Sequence, residues 1–513
     1  MTIYIVNVFN LRGNCRLSGE GRRKERENVF GEGTKTLVSI TILVKKPNYA
    51  GKAKIYYHDI GDYLTRKEKL EIIKKFGSIL NPEMELSSIT PNEAYDWVNK
   101  RNGLFESFIP LGDKDNKSEN AYFVPRYSRG CASARDSWVY NFSKIQLELN
   151  ISSMIDFYNR SVYMLRSQNK ADVTDINNDL TLLDQTKISW SRGLKKDYEQ
   201  RREHIYNREC LRIAMYRPFI KEHYYFDKNF NDMVYQMPKL FPTPQSKNLV
   251  ICVPGIGVTR EFSVLMVNTI PDLELIGKTQ CFPLYYYEKV ENKQRTLFED
   301  THEEYIRKDA ISGYIMTQAQ KKYGANISKE DIFFYVYALL HSVNYRRNFS
   351  IDLKKMLPRI PLVEDFTDFL DMSKIGHQLS DMHVNYEQIE PYTKVNITGL
   401  ESNDFDIKDI SFEKVGKEEN RQKIIFNSHI VIDNIPLKAY EYILNGKSAI
   451  EWIMERYRIS THKDSQIIND PNLWSQEHND PSYVFNLLLR IISLSVDTLE
   501  LVNKIPKIMF YND

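Results

Sequence analysis

Pro271-Asp272 is followed further along the chain by Glu291-Asn292-Lys293, the order P-D…E-x-K. Two carboxylates in that arrangement can hold Mg²⁺ while the lysine assists an attacking water, which is the chemistry of an autonomous metal-dependent nuclease. The competing reading is a turn followed by a solvated strand end, because such patterns arise by chance in a chain with 70 Lys and Arg and 68 Asp and Glu. Other templates are incomplete or missing. GEGTKT from Gly31 and GIGVTR from Gly255 contain G-x-G without the third glycine of a dinucleotide fingerprint. The sequence has no G-x-x-x-x-G-K-[ST] loop, no G-x-S-x-G elbow and no H-E-x-x-H helix. Cys15, Cys131, Cys210, Cys252 and Cys281 form no C-x-x-C pair, so no metal ligand set is expected and a reduced, cytoplasmic setting fits.

A second kind of chemistry needs cations and hydrogen-bonding side chains rather than a reacting group. A duplex is held through Lys and Arg on its phosphates and read by Arg, Asn, Gln or Asp at base edges. Residues of these types stand beside turns between short strands: Arg126, Arg129 and Arg135 in VPRYSRGCASARDSW, Arg217 and Lys221 in YRPFIK, Lys239 in MPKLF, and Arg260 in GVTREF. Each also suits a surface ion pair or a structural brace, Arg135 and Arg217 above all. The segment RGNCRLSGEGRRKERENVFGEGTK is basic on balance and contributes Arg12, Arg16, Arg22 and Arg23. Phe30, between glycine-containing turns, suits stacking on an extruded base or anchoring the loop against a sheet. A net charge of +2 neither requires nor excludes a nucleic-acid partner.

These groups need a scaffold, and at 513 residues the chain is long enough for several domains. Residues 3–10 and 37–44 (LVSITILV) read as strands, KIYYHDIGDYL as a third, and RKEKLEIIKKF as an amphipathic helix. Helical patterns follow at 143–165 and 192–214. KEHYYF, NLVICV, EFSVLMV and CFPLYYY then read as short strands punctuated by Pro and Gly. SKEDIFFYVYALLHSVNYRRNF opens with a capping box at Ser328 and Asp331 and continues at helical spacing. Two further helical segments lie near 437–458 and 482–503. No charge-free apolar run approaches the roughly 18 residues a membrane span needs, so no membrane partner is expected.

Several of these stretches together resemble a family. VFNLRGNCRLSGEGRRKERENVFGEGTKTLVSITILVKKP, ARDSWVYNFS, YRPFIKEHYYFDKNFNDMVYQMPKLF, EDIFFYVYALLHSVNYR with LPRIPLV, and IPLKAYEYILNGKSAIEWIMERY resemble, in order, the C-terminal part of type ISP restriction-modification enzymes. The resemblance implies a mixed α/β and α+β chain. Residues 1–75 would be the edge of a Rossmann-like N6-adenine methyltransferase, 76–200 a mostly helical connecting and DNA-facing region, and 201–513 a target-recognition domain of strands and C-terminal helices. The partner implied is double-stranded DNA, with a separate upstream polypeptide carrying the remaining methyltransferase, helicase and nuclease. S-adenosylmethionine and ATP with Mg²⁺ are then expected only upstream, with no cofactor in this chain. None of the 19 prolines is followed by another, so the [ND]-P-P-[YF] motif of that methyltransferase is absent from this sequence. The resemblance therefore implies a split or truncated recognition module that does not methylate alone, or a non-functional fragment. It also implies that the strand at Thr2 to Phe9 has an exposed edge whose partners lie upstream.

Overall fold

A computed structural model describes residues 2–17, 19–112, 121–167, 182–290 and 304–510. The first sheet contains β1 (Thr2–Arg12), β2 (Val38–Lys46), β3 (Lys54–Asp59) and, after helix α1 (Arg66–Phe76), β4 (Ser87–Ile89). Its strand order is β2-β1-β3-β4, with β1 antiparallel to β2 and parallel to β3. A capping box between Thr65 and Glu68 starts α1, and Ile72, Ile73 and Phe76 turn toward a small core of Phe9, Leu11, Val29, Ile60 and Met84. One expectation is corrected here. β1 is hydrogen-bonded on both sides within the chain, because KIYYHD returns as its parallel neighbour, and the sheet edges are the short β4 and the long β2. Ile40, Ile42 and Val44 on one face of β2 and Leu43 on the other are all exposed. Apolar residues on both faces are the signature of a strand covered on both sides.

The middle of the chain folds as two interleaved antiparallel-rich sheets. Their strands are β5 (Ser128–Arg129), β6 (Tyr140–Asn141), β7 (Leu211–Arg217), β8 (Ile220–Tyr225), β9 (Val250–Val253), β10 (Leu265–Val267), β11 (Ile270–Pro271) and β12 (Gln280–Pro283). The orders are β10-β9-β12-β5 and β11-β7-β8-β6. Helix α2 (Lys144–Ser167) buries Leu147, Ile151, Met154, Ile155 and Tyr158 along one stripe, as its periodicity predicts. The helix expected over 192–214 ends at Glu199, and LRIAMYR is strand β7 instead. Its backbone pairs with IKEHYY across a tight turn at Phe219, a buried residue with φ of 62°. That tertiary pairing overrides a helical pattern.

The C-terminal half is organised by helices α3 (Lys329–His341) and α4 (Phe366–Val384). The Ser328–Asp331 capping box forms as expected, but α3 stops at His341, and Ser342 caps a second short helix by accepting from the Tyr345 amide. Every residue of α3 from Ile332 to His341 is buried. At Gly376 the two helices touch backbone to backbone, and a Cβ there would collide with the carbonyl oxygen of Phe334. A further sheet of β13 (Asn396–Thr398), β14 (Ser411–Val415), β15 (Glu418–Ile425) and β16 (Val431–Asp433) leads to α5 (Ala449–Arg456) and α6 (Tyr483–Asn503). The fold is thus mixed α/β and α+β. Among the described residues no helix is long and apolar enough to cross a membrane.

His383 ties three of these helices together. Its Nδ1 lies 2.6 Å from the Tyr337 hydroxyl of α3 and its Nε2 2.9 Å from the Thr498 hydroxyl of α6. Burial, with Arg346 acting in the same direction, pushes its pKa down to about 3. Since a free histidine titrates near about 6.5, the unfolded chain binds the extra proton between these two values. The contribution is fully present above about pH 6.5 and is lost toward pH 3, at about 1.4 kcal/mol per pH unit. The melting temperature is expected to fall between pH 7 and 5, and His383→Gln to flatten that fall. An unchanged slope in the variant removes His383 as its cause.

Candidate nucleic-acid interface

Three short segments converge on one surface. Arg129 ends β5 directly opposite Gln280 of β12. The hydroxyl of Ser128 accepts from the Gln236 amide at 3.1 Å, which docks the segment leading into the short helix Met237–Leu240 beside β5. The Arg129 guanidinium sits 5.8 Å from the Tyr235 ring centroid. Arg129, Gln236, Lys239 and Lys278 are exposed. None of the three cations is within ion-pairing distance of a carboxylate among the described residues. Arg126 is tethered, 2.9 Å from Glu288 and over the Tyr286 ring.

The positions are fixed from below by close backbone approaches. A Cβ at Gly130 would strike the carbonyl of Asp272, so only glycine lets β5 pass that close. Gly255 is similar, with a Cβ falling 2.5 Å from the carbonyl oxygen of Lys278. This presses the loop from Pro254 to Arg260 against the turn that carries Lys278 and presents Ile256, 57% exposed, at its tip. Between the segments lies a cavity of about 740 Å³ lined by Arg129, Ile256, Glu274, Lys278, Gln280 and Arg359 among others. Cations for phosphates, an amide for a base edge, and aromatic and apolar tips are the groups a duplex-reading surface uses. Sequence reasoning found Arg129 and Lys239 but missed Gln236, Lys278 and Ile256. The GIGVTR glycines, read as a failed cofactor motif, were the available signal for Ile256 and for the turn beneath it.

The remaining basic candidates fall into two groups. Around the loop after β1, Arg16 and Arg23 are exposed, and the Arg22 guanidinium donates to the carbonyl of Arg26. Arg12 is gripped by Asp59 at 2.5 Å and by Asp62, with Glu25 at 3.9 Å. Burial opposes its charge, yet these carboxylates hold its pKa above the usual arginine value. Asn28 anchors the loop by donating to the carbonyls of Gly13 and Thr36, as does buried Lys69 by donating to those of Glu25 and Glu27. Phe30 is 69% exposed, so it presents its ring to solvent while Val29 does the anchoring. Elsewhere Lys221 pairs with Glu387, and Arg260 donates to the backbone and side-chain oxygens of Asn445. Arg135 is 5% exposed, and its three guanidinium nitrogens have no hydrogen-bond partner among the described residues. Burial pushes its pKa down to about 10 against the pull of Asp232.

Arg217 and Asp272 form a buried ion pair, Nη1 to Oδ1 at 2.6 Å. The same carboxylate oxygen accepts from the Glu274 amide at 2.8 Å, and the other lies 3.3 Å from the Tyr140 hydroxyl. The guanidinium stacks 3.9 Å over Tyr216. Burial pushes the Asp272 pKa up to about 7 although Arg217 pulls the other way. Asp272, 3% exposed, therefore has both oxygens engaged inside the protein rather than facing a metal. Glu291 and Lys293 lie outside the described residues, among which no group of three or more His, Cys, Asp or Glu could hold a metal ion. Arg217→Met is expected to cost about 3–5 kcal/mol in denaturant unfolding by stranding a buried carboxylate, and the double variant with Asp272→Leu to cost less than the single. A double variant at least as unstable as the single would contradict this pairing.

Comparison with known proteins places this geometry. No curated protein sequence matches the chain. A nuclease-deletion mutant of the Type ISP restriction-modification enzyme LlaGI, solved in complex with a DNA substrate mimic, is 36% identical with a TM-score of 0.84, and the match covers 99% of this chain and 44% of that one. The ATP-dependent Type ISP enzyme LlaBIII bound to DNA is 35% identical with a TM-score of 0.86, over 99% and 31%. The DrdV–DNA complex is 26% identical with a TM-score of 0.79, over 99% and 48%. The chain thus spans less than half the length of each of these proteins. Residues 122–487, more than half of the chain, match the family described as the Type ISP C-terminal specificity domain. The chain belongs to that family.

Proposed function

We propose that this chain selects a specific double-stranded DNA sequence on behalf of a Type ISP restriction-modification enzyme. The observation that carries the reading is the set of exposed cations Arg129 on β5, Lys239 on the short helix after Gln236 and Lys278 in the turn before β12, none ion-paired among the described residues and all within the family-matched region. Phosphate contacts from the cations supply affinity, and the amide with its neighbours supplies discrimination at base edges.

The first sheet has a complementary role in this proposal. The open edge of β2, apolar on both faces, receives the rest of an N6-adenine methyltransferase from a separate polypeptide or a preceding segment. S-adenosylmethionine, ATP and Mg²⁺ chemistry then belong to those parts. Phe30 and the basic loop after β1 lie beside the base to be modified. Docking would also cover the exposed Ile40, Ile42, Leu43 and Val44, removing an edge that is otherwise prone to aggregation.

Binding of the purified chain to short duplexes across a range of salt concentrations tests the reading. Arg129→Ala and Lys239→Ala are each expected to lower the slope of log K against log salt by about 0.9, the effect of one lost phosphate contact. Gln236→Ala is expected to narrow the gap between preferred and other sequences. A chain that binds all duplexes alike, with slopes untouched by these substitutions, would overturn the proposal.

A further inference from the structure

A second concavity lies just beyond the helix that carries Lys239. It is a cavity of about 300 Å³ between the start of α2, strand β7, the turn after β10 and the turn from Thr243 to Ser246. Lys144, Arg212, His223, Thr243, Ser246 and Asn268 line it, and no Asp or Glu does so among the described residues. The Glu209 carboxylate acts on Arg212 through space, and Glu477 lies 4.0 Å from His223 Nε2. It is already engaged, accepting from the Ser143 hydroxyl at 2.5 Å and from the Lys144 and Ile145 amides at 2.8 and 3.4 Å.

Arg212 spends Nη2 on the carbonyl of Pro242 at 3.2 Å, while its Nε and Nη1 are buried without a partner among the described residues. His223 Nε2 is likewise buried without a hydrogen bond among the described residues. Thr243 and Ser246 hold their hydroxyls 2.9 Å apart in a turn that also bonds the Thr243 amide to Ser246 Oγ at 3.0 Å. Buried donors call for acceptors, and a small group that presents acceptors and carries negative charge is a phosphate. The volume sits at the small end of ligand pockets, suiting a phosphate with little attached.

We propose that this cavity is a phosphate-binding site, with Arg212 and Lys144 supplying charge and Thr243, Ser246 and Asn268 supplying hydrogen bonds. The phosphate comes either from a duplex backbone, in which case the site extends the DNA-recognition reading, or from free phosphate or a mononucleotide. The cavity itself does not depend on that reading.

Calorimetric titration of the full chain with inorganic phosphate tests the site. Saturable binding is expected in the wild type, weakened at least tenfold by Arg212→Gln and several-fold by Lys144→Gln, with melting temperatures compared to confirm that each variant folds. His223, whose pKa burial pushes down to about 4, is expected to titrate higher by NMR when phosphate is bound. If a duplex is the source, saturating duplex displaces phosphate and Arg212→Gln lowers the salt slope of duplex binding by about 0.9. If a free phosphate compound is the source, phosphate binds equally well with duplex present. Absence of saturable phosphate binding in the wild type, together with a salt slope unaffected by Arg212→Gln, overturns the site. That result leaves any sequence preference in duplex binding untouched, so the two proposals fail separately.

Discussion

The Asp272 carboxylate is the point on which the backbone beneath Arg129 hangs. Its side chain is held by Arg217 and Tyr140, and its peptide neighbours are clasped by the strand that carries Arg129, with the Cys131 amide on the Pro271 carbonyl and the Leu273 amide on the Cys131 carbonyl. Those bonds need Gly130, because any side chain there would push the strands apart. Gly130 lets the two middle sheets meet through the backbone bridge of Cys131 and Asp272, and the ion pair, which lies within the β11-β7-β8-β6 sheet, holds Asp272 at that junction. A buried pair of this kind adds little net stability over a well-packed apolar pair, but losing one partner is costly. Its value here is positional, since residues that read a duplex must project from a scaffold that does not move.

The same economy separates the cations by role. Arg12, Arg217, Lys221 and Arg260 are each occupied by an oxygen of the protein itself, and their charge is spent on holding loops and sheets in register. Arg129, Lys239 and Lys278 are exposed and outside ion-pairing distance of a carboxylate among the described residues. At the other end of the chain the first sheet has its own small core and an edge strand built for cover on both faces. Two surfaces with different chemistry thus follow from one fold: a charged one suited to a polyanion and an apolar, hydrogen-bonding one suited to more sheet.

Local pattern made much of this legible. Strands β1 and β2, helices α1, α2 and α6, and the capping box at Ser328 follow from alternation, periodicity and cap chemistry acting over a few residues. What stayed hidden depends on partners far away in the chain. The helix expected over 192–214 gave way to β7 because IKEHYY supplies a ladder, and β1 turned out to be central because KIYYHD returns beside it. β5 is two residues long and exists only through its pairing with β12. The site shows the same division. Residue type marked Arg129 and Lys239, whereas the P-D…E-x-K order that made Asp272 one reading of a nuclease carries no information about burial, and Lys278 and Gln236 gained meaning only once three segments met.

Selection from a random pool of duplexes by the purified chain measures the central claim most directly. Successive rounds are predicted to enrich one short motif, and the enrichment to weaken when Arg129 and Gln236 are both replaced by alanine. A pool that stays unbiased, or a motif enriched equally by the doubly substituted chain, would contradict the assignment of sequence reading to this surface.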